Sequence, residues 1–422
     1  MDKLVIKGPT KLSGSVTVSS AKNASLPILA GSLLFPGKIC FKNLPELSDI
    51  KFFEQILASV GAVITKDERG LLVDGAGVNR TVADYELVRK MRASVLVLGP
   101  LLARFGKAKV SLPGGCAIGT RPVDIHLKGL ESLGAKIDIS SGYINAECKK
   151  LVGTSIHLPF PSVGATENIM MAACLASGET IIENAACEPE IEDLASFLNK
   201  CGFEIRGAGT SNIIIEGKDL DQIDTSKIID YEIIGDRIEA ATYVIAGLMT
   251  NSAIRVCGFN PCHLESVFSI LKDMGAKIDI DTNSVYVKPS GKLLGGKIET
   301  GPHPLFPTDV QAQLMSLMGV SRGYSIISEK VFENRFMHVP ELIRMGMEIN
   351  LDGSYAFIKG TSHLSAAPVM CTDLRASAAL VLSALVVDGE TTVNRIYHLD
   401  RGYENIEEKL ANLGANIKRV RE

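Results

Sequence analysis

The sequence lacks three features that would each point to a particular class of protein. Its uncharged apolar runs, such as residues 376–387, are too short to cross a bilayer. Its nine cysteines include no CxxC pair, so neither a disulfide framework nor a zinc ribbon is indicated. Its net charge is only −4, which gives no reason to expect nucleic acid or a membrane as a partner. Because residues 1–8 have the pattern of a strand rather than of a signal peptide, we expect a soluble, cytoplasmic protein.

What the sequence does contain is one phrase that recurs six times. Each copy has the form Leu-x-x-x-Gly-x-x-Ile, and successive glycines are 68 to 73 residues apart. A helix that ends at a glycine in the left-handed conformation and then turns into a strand explains each copy. Six such units fill the 422 residues, and their glycines are Gly61, Gly134, Gly202, Gly275, Gly346 and Gly414.

Two kinds of helix alternate along the chain. The phrase closes amphipathic helices such as 190–201 and 263–274, in which the apolar residues form a stripe. A second kind is small and apolar nearly all round, which predicts burial inside the protein. A strand opened by Gly or Asn follows each helix of this second kind, and these helices are expected at 24–34, 93–103, 165–176, 240–249, 310–320 and 376–387.

Six buried helices are too many for one core, so we expect a mixed α/β protein of two domains with three repeated units each. In each domain, sheets and outer helices would surround the buried helices. We expect the first domain at residues 22–229 and a discontinuous second domain at 1–21 plus 230–422. A ligand would then occupy the cleft between the two domains.

Basic residues mark the starts of four buried helices. A helix N-terminus offers free N–H groups and the positive end of the helix dipole, which suits an anion. Any one of these residues could be a surface charge beside a helix cap. Matching positions in four units favour an anion-binding site instead, and the residues are Lys22, Arg92, Arg237 and Arg375.

The loop at residues 112–124 carries the strongest local signal. Its glycines and Pro113 predict a turn-rich lid whose flanks cannot bury Cys116. A nearby cation such as Arg121 favours the thiolate, whereas a bound anion favours the thiol. Cys116 therefore suits a proton donor that acts when an anionic substrate is present. The remaining cysteines are expected to be buried filler: Cys40, Cys148, Cys174, Cys187, Cys201, Cys257, Cys262 and Cys371.

Polar motifs spread over the whole chain carry a resemblance. They lie at 21–24, 91–94, 112–124, 162–166, 183–186 with 188–190, 307–309, 331–341, 372–377 and 397–404. Together they closely resemble the UDP-N-acetylglucosamine 1-carboxyvinyltransferases, a family of enolpyruvyl transferases, from about residue 1 to residue 421. The resemblance implies two inside-out α/β barrel domains of three repeats each, which agrees with the count of buried helices.

The resemblance also implies a reaction. The enolpyruvyl group of phosphoenolpyruvate would move to the 3-hydroxyl of UDP-N-acetylglucosamine by addition and elimination, with release of phosphate. This is the first committed step of peptidoglycan synthesis and the target of the epoxide antibiotic fosfomycin. The expected partners are these two small molecules, with neither nucleic acid nor membrane. No cofactor or metal is expected, because fixed cations can carry the phosphate and carboxylate groups.

Matching positions imply the catalytic roles. Cys116 matches the proton donor, which can form a covalent adduct with the enolpyruvyl group and is alkylated by fosfomycin. Asp309 matches the carboxylate that takes the proton of the sugar hydroxyl, and its alternative as a helix N-cap two residues after Pro307 is compatible with that role. Lys22, Arg121 and Arg401 match the clamp that binds phosphoenolpyruvate.

Further positions match contacts to the substrates. Asn23 matches a polar contact to the reacting centre, and Asp373 and Arg375 match residues that orient the site, with helix capping as an equal alternative. Some family members have a lysine where this chain has Phe160. One cation is therefore missing from the expected nucleotide site. The positions that match contacts to UDP-N-acetylglucosamine are Arg92, Arg121, Pro122, Val123, Asp124, Ile125, Ser162, Val163, Gly164, Asp309 and Val331.

Three other functions compete with this interpretation. The sibling enzyme 3-phosphoshikimate 1-carboxyvinyltransferase shares the fold and phosphoenolpyruvate, but the cysteine loop and the motif at 121–124 argue against it. A non-catalytic regulator that binds a UDP-sugar has no need for a proton donor such as Cys116. A structural repeat protein would not need matched charges at its helix starts.

Overall fold

Each of the six repeated glycines ends a helix in the computed structural model, which describes residues 2–83, 85–88, 91–112 and 123–421. Their φ angles lie between +94° and +107°, in the region that L-residues with a side chain rarely adopt. The N–H of Gly61 donates to the carbonyl of Ala58, and the N–H of Ala62 donates to the carbonyl of Leu57. All six copies repeat this pair of hydrogen bonds, which is the Schellman motif, and the predicted helix ends are confirmed.

The strands of the described residues form six sheets of four strands. In chain order they are β1 (Lys3–Gly8), β2 (Ser13–Thr17), β3 (Lys38–Phe41), β4 (Val63–Asp67), β5 (Gly70–Asp74), β6 (Val82–Ala83), β7 (Lys107–Ser111), β8 (Lys136–Ser140), β9 (Tyr143–Glu147), β10 (Ser155–His157), β11 (Glu179–Glu183), β12 (Glu204–Arg206), β13 (Asn212–Glu216), β14 (Ile229–Tyr231), β15 (Ala253–Cys257), β16 (Lys277–Ile280), β17 (Ser284–Lys288), β18 (Lys297–Glu299), β19 (Tyr324–Ser328), β20 (Glu348–Asp352), β21 (Tyr355–Lys359), β22 (Val369–Met370), β23 (Gly389–Asn394) and β24 (Asn416–Val420).

All six sheets share one topology. An edge strand pairs in parallel with the second strand, and the second, third and fourth strands are antiparallel to one another. In five sheets the third and fourth strands form a hairpin. In the sixth, those positions belong to β1 and β24 from opposite ends of the sequence, with Ile6 opposite Ile417. The strand orders are β14-β3-β5-β4, β6-β7-β9-β8, β10-β11-β13-β12, β2-β15-β17-β16, β18-β19-β21-β20 and β22-β23-β1-β24.

Buried and half-exposed α-helices alternate between these strands. They are α1 (Lys22–Gly31), α2 (Ser48–Ser59), α3 (Tyr85–Val88), α4 (Leu98–Phe105), α5 (Asp124–Ser132), α6 (Val163–Ala173), α7 (Pro189–Lys200), α8 (Arg237–Met249), α9 (Glu265–Asp273), α10 (Gln311–Val320), α11 (Val339–Arg344), α12 (Leu374–Ala384) and α13 (Ile406–Asn412). The six predicted buried helices are confirmed as α1, α4, α6, α8, α10 and α12.

One buried helix begins later than the sequence predicted. Residues 92–97 form a 3-10 segment, and the α-helix itself starts at Leu98. Pro100 has no N–H to donate, so it fits the first turn of an α-helix, where that N–H would have no acceptor within the helix.

None of the helices in the described ranges is long and apolar enough to span a membrane.

The described chain divides into two units, which we call the first unit (residues 20–234) and the second unit (residues 2–19 with 235–421). Each contains three of the sheets, three of the buried helices and one hydrophobic core. These limits differ by two and five residues from the domain boundaries expected after residues 21 and 229. Each unit has the mixed α/β architecture that the sequence predicted, with its helices inside and its sheets outside.

Two edge strands belong to one unit, although the next buried helix along the chain belongs to the other unit. Strand β2 precedes α1 of the first unit, yet it pairs with β15 of the second unit. Strand β14 precedes α8 of the second unit, yet it pairs with β3 of the first. Within the described residues the chain thus passes between the units twice, directly before a buried helix, and both of these helices begin with a basic residue.

The expectation that the cysteines other than Cys116 are buried is wrong for Cys262, which is exposed. It lies in a short 3-10 turn in which Pro261 and Leu264 take the inward positions. Cys148, Cys187 and Cys257 are half-buried, and the others are buried as expected: Cys40, Cys174, Cys201 and Cys371.

Candidate active site

The carboxylate of Asp309 lies between two buried guanidinium groups. Its Oδ1 is 2.6 Å from Nη2 of Arg335, and its Oδ2 is 3.1 Å from Nη2 of Arg375. Both arginine side chains are 4% exposed, whereas Asp309 is 26% exposed. Two cations at this distance favour the ionised form of the carboxyl group and fix its orientation. Asp309 is therefore an oriented, partly accessible carboxylate that can accept a proton.

Asp309 stands on a 3-10 turn, 308–310, that leads into α10. The N-cap residues of this turn and of α10 are Pro307 and Val310, so Asp309 does not occupy an N-cap position. Arg335 was not identified from the sequence, although it lies inside the motif at 331–341. Nothing in the local pattern distinguishes it from a surface arginine, because its burial and its partner depend on tertiary contacts.

A second residue that the sequence did not reveal, Glu329, connects Val331 to the turn that carries Asp309. Its Oε1 accepts hydrogen bonds from the N–H groups of Val331 and Phe332, at 2.9 and 3.1 Å. Its Oε2 accepts a hydrogen bond from the hydroxyl of Thr308 at 3.0 Å. This buried carboxylate therefore holds the predicted sugar contact next to the predicted base.

Asp373 and Arg375 lie at the start of α12. Oδ1 of Asp373 accepts the N–H groups of Arg375 and Ala376 at 2.9 and 3.0 Å, so Asp373 caps the helix. Burial lowers the pKa of Arg375, but the interactions with Asp309, Tyr403 and Asp236 together outweigh burial, and the net pKa lies above the ordinary value. The cap thus orients a permanently charged arginine toward Asp309.

Arg401 ends a 3-10 turn, 396–401, and is half-buried. The preceding residue, Asp400, forms a two-point ion pair with Arg419 of β24, at 2.6 and 3.0 Å. Burial, and then the positive charge of Arg401, lower the pKa of His398. The turn is therefore fixed to the sheet on one side, while Arg401 makes its surroundings electropositive.

In the first unit, Lys22 is the first residue of α1. Its Nζ lies 2.8 Å from Oδ2 of Asp49, a residue in the first turn of α2. The lysine is 12% exposed and the aspartate 2%. Asn23 follows on the same helix and is half-buried. Asp49 was not predicted, and it holds the ammonium group in one place at the start of a buried helix.

The start of α6 carries three of the predicted sugar contacts, all half-buried. The Oγ of Ser162 accepts the N–H of Ala165 at 3.4 Å and caps the helix. The Cα of Gly164 packs against the ring of His126, since an added Cβ would lie 3.0 Å from its Cε1 and 3.3 Å from its Nε2. The glycine is thus required by the close approach of the ring, while Val163 lies between these two residues.

His126 and Asn168 connect the elements around this helix start. The Asn168 amide Nδ2 is 3.2 Å from Nδ1 of His126 and donates to the carbonyl of Val95, while its Oδ1 accepts the N–H of Gly99 at 2.7 Å. Burial, and then the charge of Arg92, lower the pKa of His126 to about 4. A neutral imidazole therefore joins α4, α5 and α6.

The predicted site residues are distributed over both units. Cys116, Arg121 and Pro122 lie outside the described residues, and Phe160 is 44% exposed. The first unit brings Arg92, Val123, Asp124, Ile125, Ser162, Val163 and Gly164 around His126 or beside it, and holds Lys22 and Asn23 at the start of α1. The second unit contains Asp309, Val331, Asp373, Arg375 and Arg401.

Comparisons with known proteins agree with this arrangement of elements. A protein-family model described as EPSP synthase (3-phosphoshikimate 1-carboxyvinyltransferase) matches residues 6–410. Curated relatives named UDP-N-acetylglucosamine 1-carboxyvinyltransferase include one from Desulfatibacillum aliphaticivorans, 49% identical over 100% of both chains. Another, from Carboxydothermus hydrogenoformans, bears that name with the suffix 2 and is 52% identical over 100% of both chains.

Two solved structures have the same fold. The enolpyruvyl transferase NikO from Streptomyces tendae is 25% identical, covers 99% of both chains and has a TM-score of 0.89. An EPSP synthase from Acinetobacter baumannii is 17% identical over 100% of both chains with a TM-score of 0.77, and this likeness concerns the fold alone. The expected inside-out α/β barrels are confirmed by these likenesses.

Proposed function

The chain belongs to the UDP-N-acetylglucosamine 1-carboxyvinyltransferase family, and we propose that it transfers the carboxyvinyl group of phosphoenolpyruvate to the 3-hydroxyl of UDP-N-acetylglucosamine. Phosphate is the second product, and the reaction begins peptidoglycan synthesis. The observation in the structure that carries the proposal is the Asp309 carboxylate, which is held between the guanidinium groups of Arg335 and Arg375 but is still partly exposed. Full-length relatives at 49 to 52% identity support the same activity.

The chemistry needs one proton acceptor and one proton donor. In the addition step, Asp309 takes the proton of the sugar hydroxyl as the hydroxyl oxygen bonds to the substituted carbon of the enol. Cys116, which lies outside the described residues, donates a proton to the methylene carbon. In the elimination step, the Cys116 thiolate takes a proton back from the methyl carbon, the double bond re-forms and phosphate leaves. A positioned acid or base contributes typically 10²- to 10⁴-fold to such a rate.

Cations bind the phosphoenolpyruvate. Lys22, Arg121 and Arg401 take its phosphate and carboxylate groups, and Asn23 contacts the reacting centre. Support comes from the Lys22–Asp49 pair, which holds the ammonium group at a helix N-terminus, where the dipole also favours an anion. The Asp400–Arg419 pair supports Arg401 in the same way, because it restrains the turn on which Arg401 stands.

The nucleotide sugar occupies the other predicted positions. Its proposed contacts are Arg92, the segment 121–125, the start of α6 at Ser162, and Val331. The cap at Ser162 and the packing of Gly164 on His126 support this role, because they fix the direction of the first N–H groups of α6. Both substrates are multiply charged and cross no bilayer unaided, so the proposed reaction takes place in the cytoplasm.

Release of phosphate tests the proposed function. Purified protein incubated with phosphoenolpyruvate and UDP-N-acetylglucosamine is expected to release phosphate, and omission of either compound is expected to abolish the release. Because the matching family model carries the name of the sibling enzyme, shikimate 3-phosphate serves as the alternative acceptor. Turnover with shikimate 3-phosphate and none with the UDP-sugar would contradict the proposal.

A further inference from the structure

A closed network of buried polar side chains lies beneath Asp309 in the second unit. It consists of Thr242 on α8, Gln313 on α10 and Tyr403, which follows the turn that carries Arg401. The three side chains are 0%, 0% and 2% exposed. Oγ1 of Thr242 is 2.9 Å from the Tyr403 hydroxyl, and Nε2 of Gln313 is 3.2 and 3.1 Å from these two oxygens.

The network has one direction of donation. Thr242 has a single hydroxyl proton, and it donates this proton to the carbonyl of Ile238 at 2.9 Å. The hydroxyl of Tyr403 must therefore donate to Oγ1 of Thr242, since a hydroxyl has one donor and two acceptor positions. The remaining lone pairs of the Tyr403 oxygen are then available to accept from the amide of Gln313.

The network contacts Asp309 by two routes. Nε2 of Gln313 donates to the backbone carbonyl of Asp309 at 3.0 Å. The guanidinium of Arg375, which holds Oδ2 of Asp309, lies with its Cζ 5.7 Å from the centroid of the Tyr403 ring. The Tyr403 oxygen also interacts directly with Arg375. Removal of the hydroxyl would therefore loosen the backbone support of Asp309 through Gln313 and its side-chain support through Arg375.

Tyr403 is also fixed to the start of α12. Gly402 has no side chain, and an added Cβ would lie 2.6 Å from Cδ1 of Leu374, the residue before Arg375. The N–H of Tyr403 donates to the carbonyl of Leu399 at 3.0 Å. The turn that carries Arg401, the tyrosine and the start of α12 therefore form one packed group.

We propose that Tyr403 is a positioning residue for the transfer reaction and that it orients Asp309 through Gln313 and Arg375. The proposal rests on the proposed function, because it takes Asp309 to be the proton acceptor. A carboxylate that must accept a proton from one hydroxyl needs a fixed orientation, and small displacements of such groups are costly in rate. Buried hydrogen bonds such as those among Thr242, Gln313 and Tyr403 restrict the orientation of the groups that they join.

The test is the variant Tyr403→Phe, which keeps the ring beneath Arg375 and removes only the hydroxyl. The kcat for phosphate release is expected to fall about 10-fold. The KM for UDP-N-acetylglucosamine should stay within about twofold, because every proposed sugar contact other than Asp309 is untouched. A looser Arg375 favours the ionised carboxyl group less, so the acid limb of the pH profile of kcat should move to higher pH by about half a unit.

Tyr231→Phe is the matched control. Tyr231 is also a buried tyrosine, its hydroxyl bonds to the carboxylate of Asp193 at 2.6 Å, and it lies in the first unit. The Tyr231→Phe variant should lose about as much stability as Tyr403→Phe, but its kcat and its pH profile should match those of the wild type. In an Asp309→Asn background, Tyr403→Phe is expected to cause no additional loss of kcat.

The outcomes separate the two proposals. If the wild-type protein releases no phosphate from the two substrates, the proposed function is wrong and the role of Tyr403 with it. If the wild type is active and Tyr403→Phe lowers only the melting temperature, like Tyr231→Phe, then Tyr403 is merely structural. An equal loss of kcat with and without the Asp309 carboxylate would show that Tyr403 acts elsewhere.

Discussion

At the scale of single residues, one glycine controls the geometry of the predicted sugar site. The Cα of Gly164 approaches the ring of His126 so closely that an alanine Cβ would lie 3.0 Å from Cε1, tighter than an ordinary contact. Neither side can yield easily, because Asn168 holds the ring and Ser162 caps the helix. The start of α6 would therefore have to move.

We expect Gly164→Ala to raise the KM for UDP-N-acetylglucosamine by about 10-fold or more and to change the KM for phosphoenolpyruvate little, because a displaced helix start affects the sugar contacts. Steady-state kinetics with each substrate varied in turn measures both constants. The double variant His126→Asn, Gly164→Ala removes the ring that the new methyl group meets, and it should recover part of the affinity. An unchanged KM for the sugar in Gly164→Ala would contradict this account.

At the scale of elements, the six Schellman motifs belong to the scaffold of the fold. At one of them, a substitution can measure what the left-handed backbone conformation alone costs in stability. Gly275 follows α9 with a φ of +98°, and an added Cβ would meet no atom within 4 Å. Only the cost of the left-handed conformation should therefore appear on substitution. The glycine lies far along the chain from the residues assigned to catalysis.

The variant Gly275→Ala is expected to lower the free energy of unfolding by about 1 kcal/mol while kcat remains unchanged. Urea unfolding and phosphate release together measure the two effects. Lys272→Ala, an exposed substitution in the last turn of α9, serves as the control and should stay within about 0.5 kcal/mol of the wild type. A Gly275→Ala protein as stable as Lys272→Ala would refute the assigned role of the glycine.

His126 gives the junction of α4, α5 and α6 a pH dependence. Its pKa in the folded protein is about 4, below the usual value of about 6.5 in an unfolded chain. Below pH 6.5 the unfolded chain therefore binds a proton that the folded protein does not bind until about pH 4. The contribution of His126 to stability is complete above pH 6.5 and is lost as the pH falls toward 4.

We expect this residue to account for about 2 kcal/mol of the stability lost between pH 8 and pH 5. Urea unfolding of the wild type and of His126→Gln at both pH values provides the measurement. The variant cannot take up this proton, so its stability should fall less steeply. Equal pH dependence in both proteins would mean that the imidazole is not buried in its neutral form.

At the scale of the whole molecule, the repeated parts were predictable from the sequence and the paired parts were not. A glycine such as Gly61 signals a left-handed helix end by itself, and an apolar segment such as 24–34 signals burial by itself. The ion pair of Asp309 with Arg335 and the network that contains Tyr403 join distant segments. Local patterns do not show such contacts, so Arg335, Glu329 and Asp49 were not identified.

The starts of the buried helices were predictable only in part: the sequence showed where the charged residues lie but not which residues they contact. Lys22 and Arg375 were predicted there because four basic residues occupied matching positions, and both lie at the starts of buried helices. Their partners differ, however. Lys22 meets Asp49 on the next helix, whereas Arg375 reaches Asp309 on a separate repeat. The repeat thus predicts where a charge stands, and the tertiary fold determines what it contacts.

The central claim is that this chain transfers a carboxyvinyl group to the sugar and does not merely release phosphate. The most direct measurement is the NMR spectrum of the nucleotide product formed from phosphoenolpyruvate labelled with ¹³C in its enol carbons. The account predicts an enol ether on the 3-oxygen of the N-acetylglucosamine ring, formed in equal amount with phosphate. Phosphate without that ether, or no reaction with both substrates present, would contradict it.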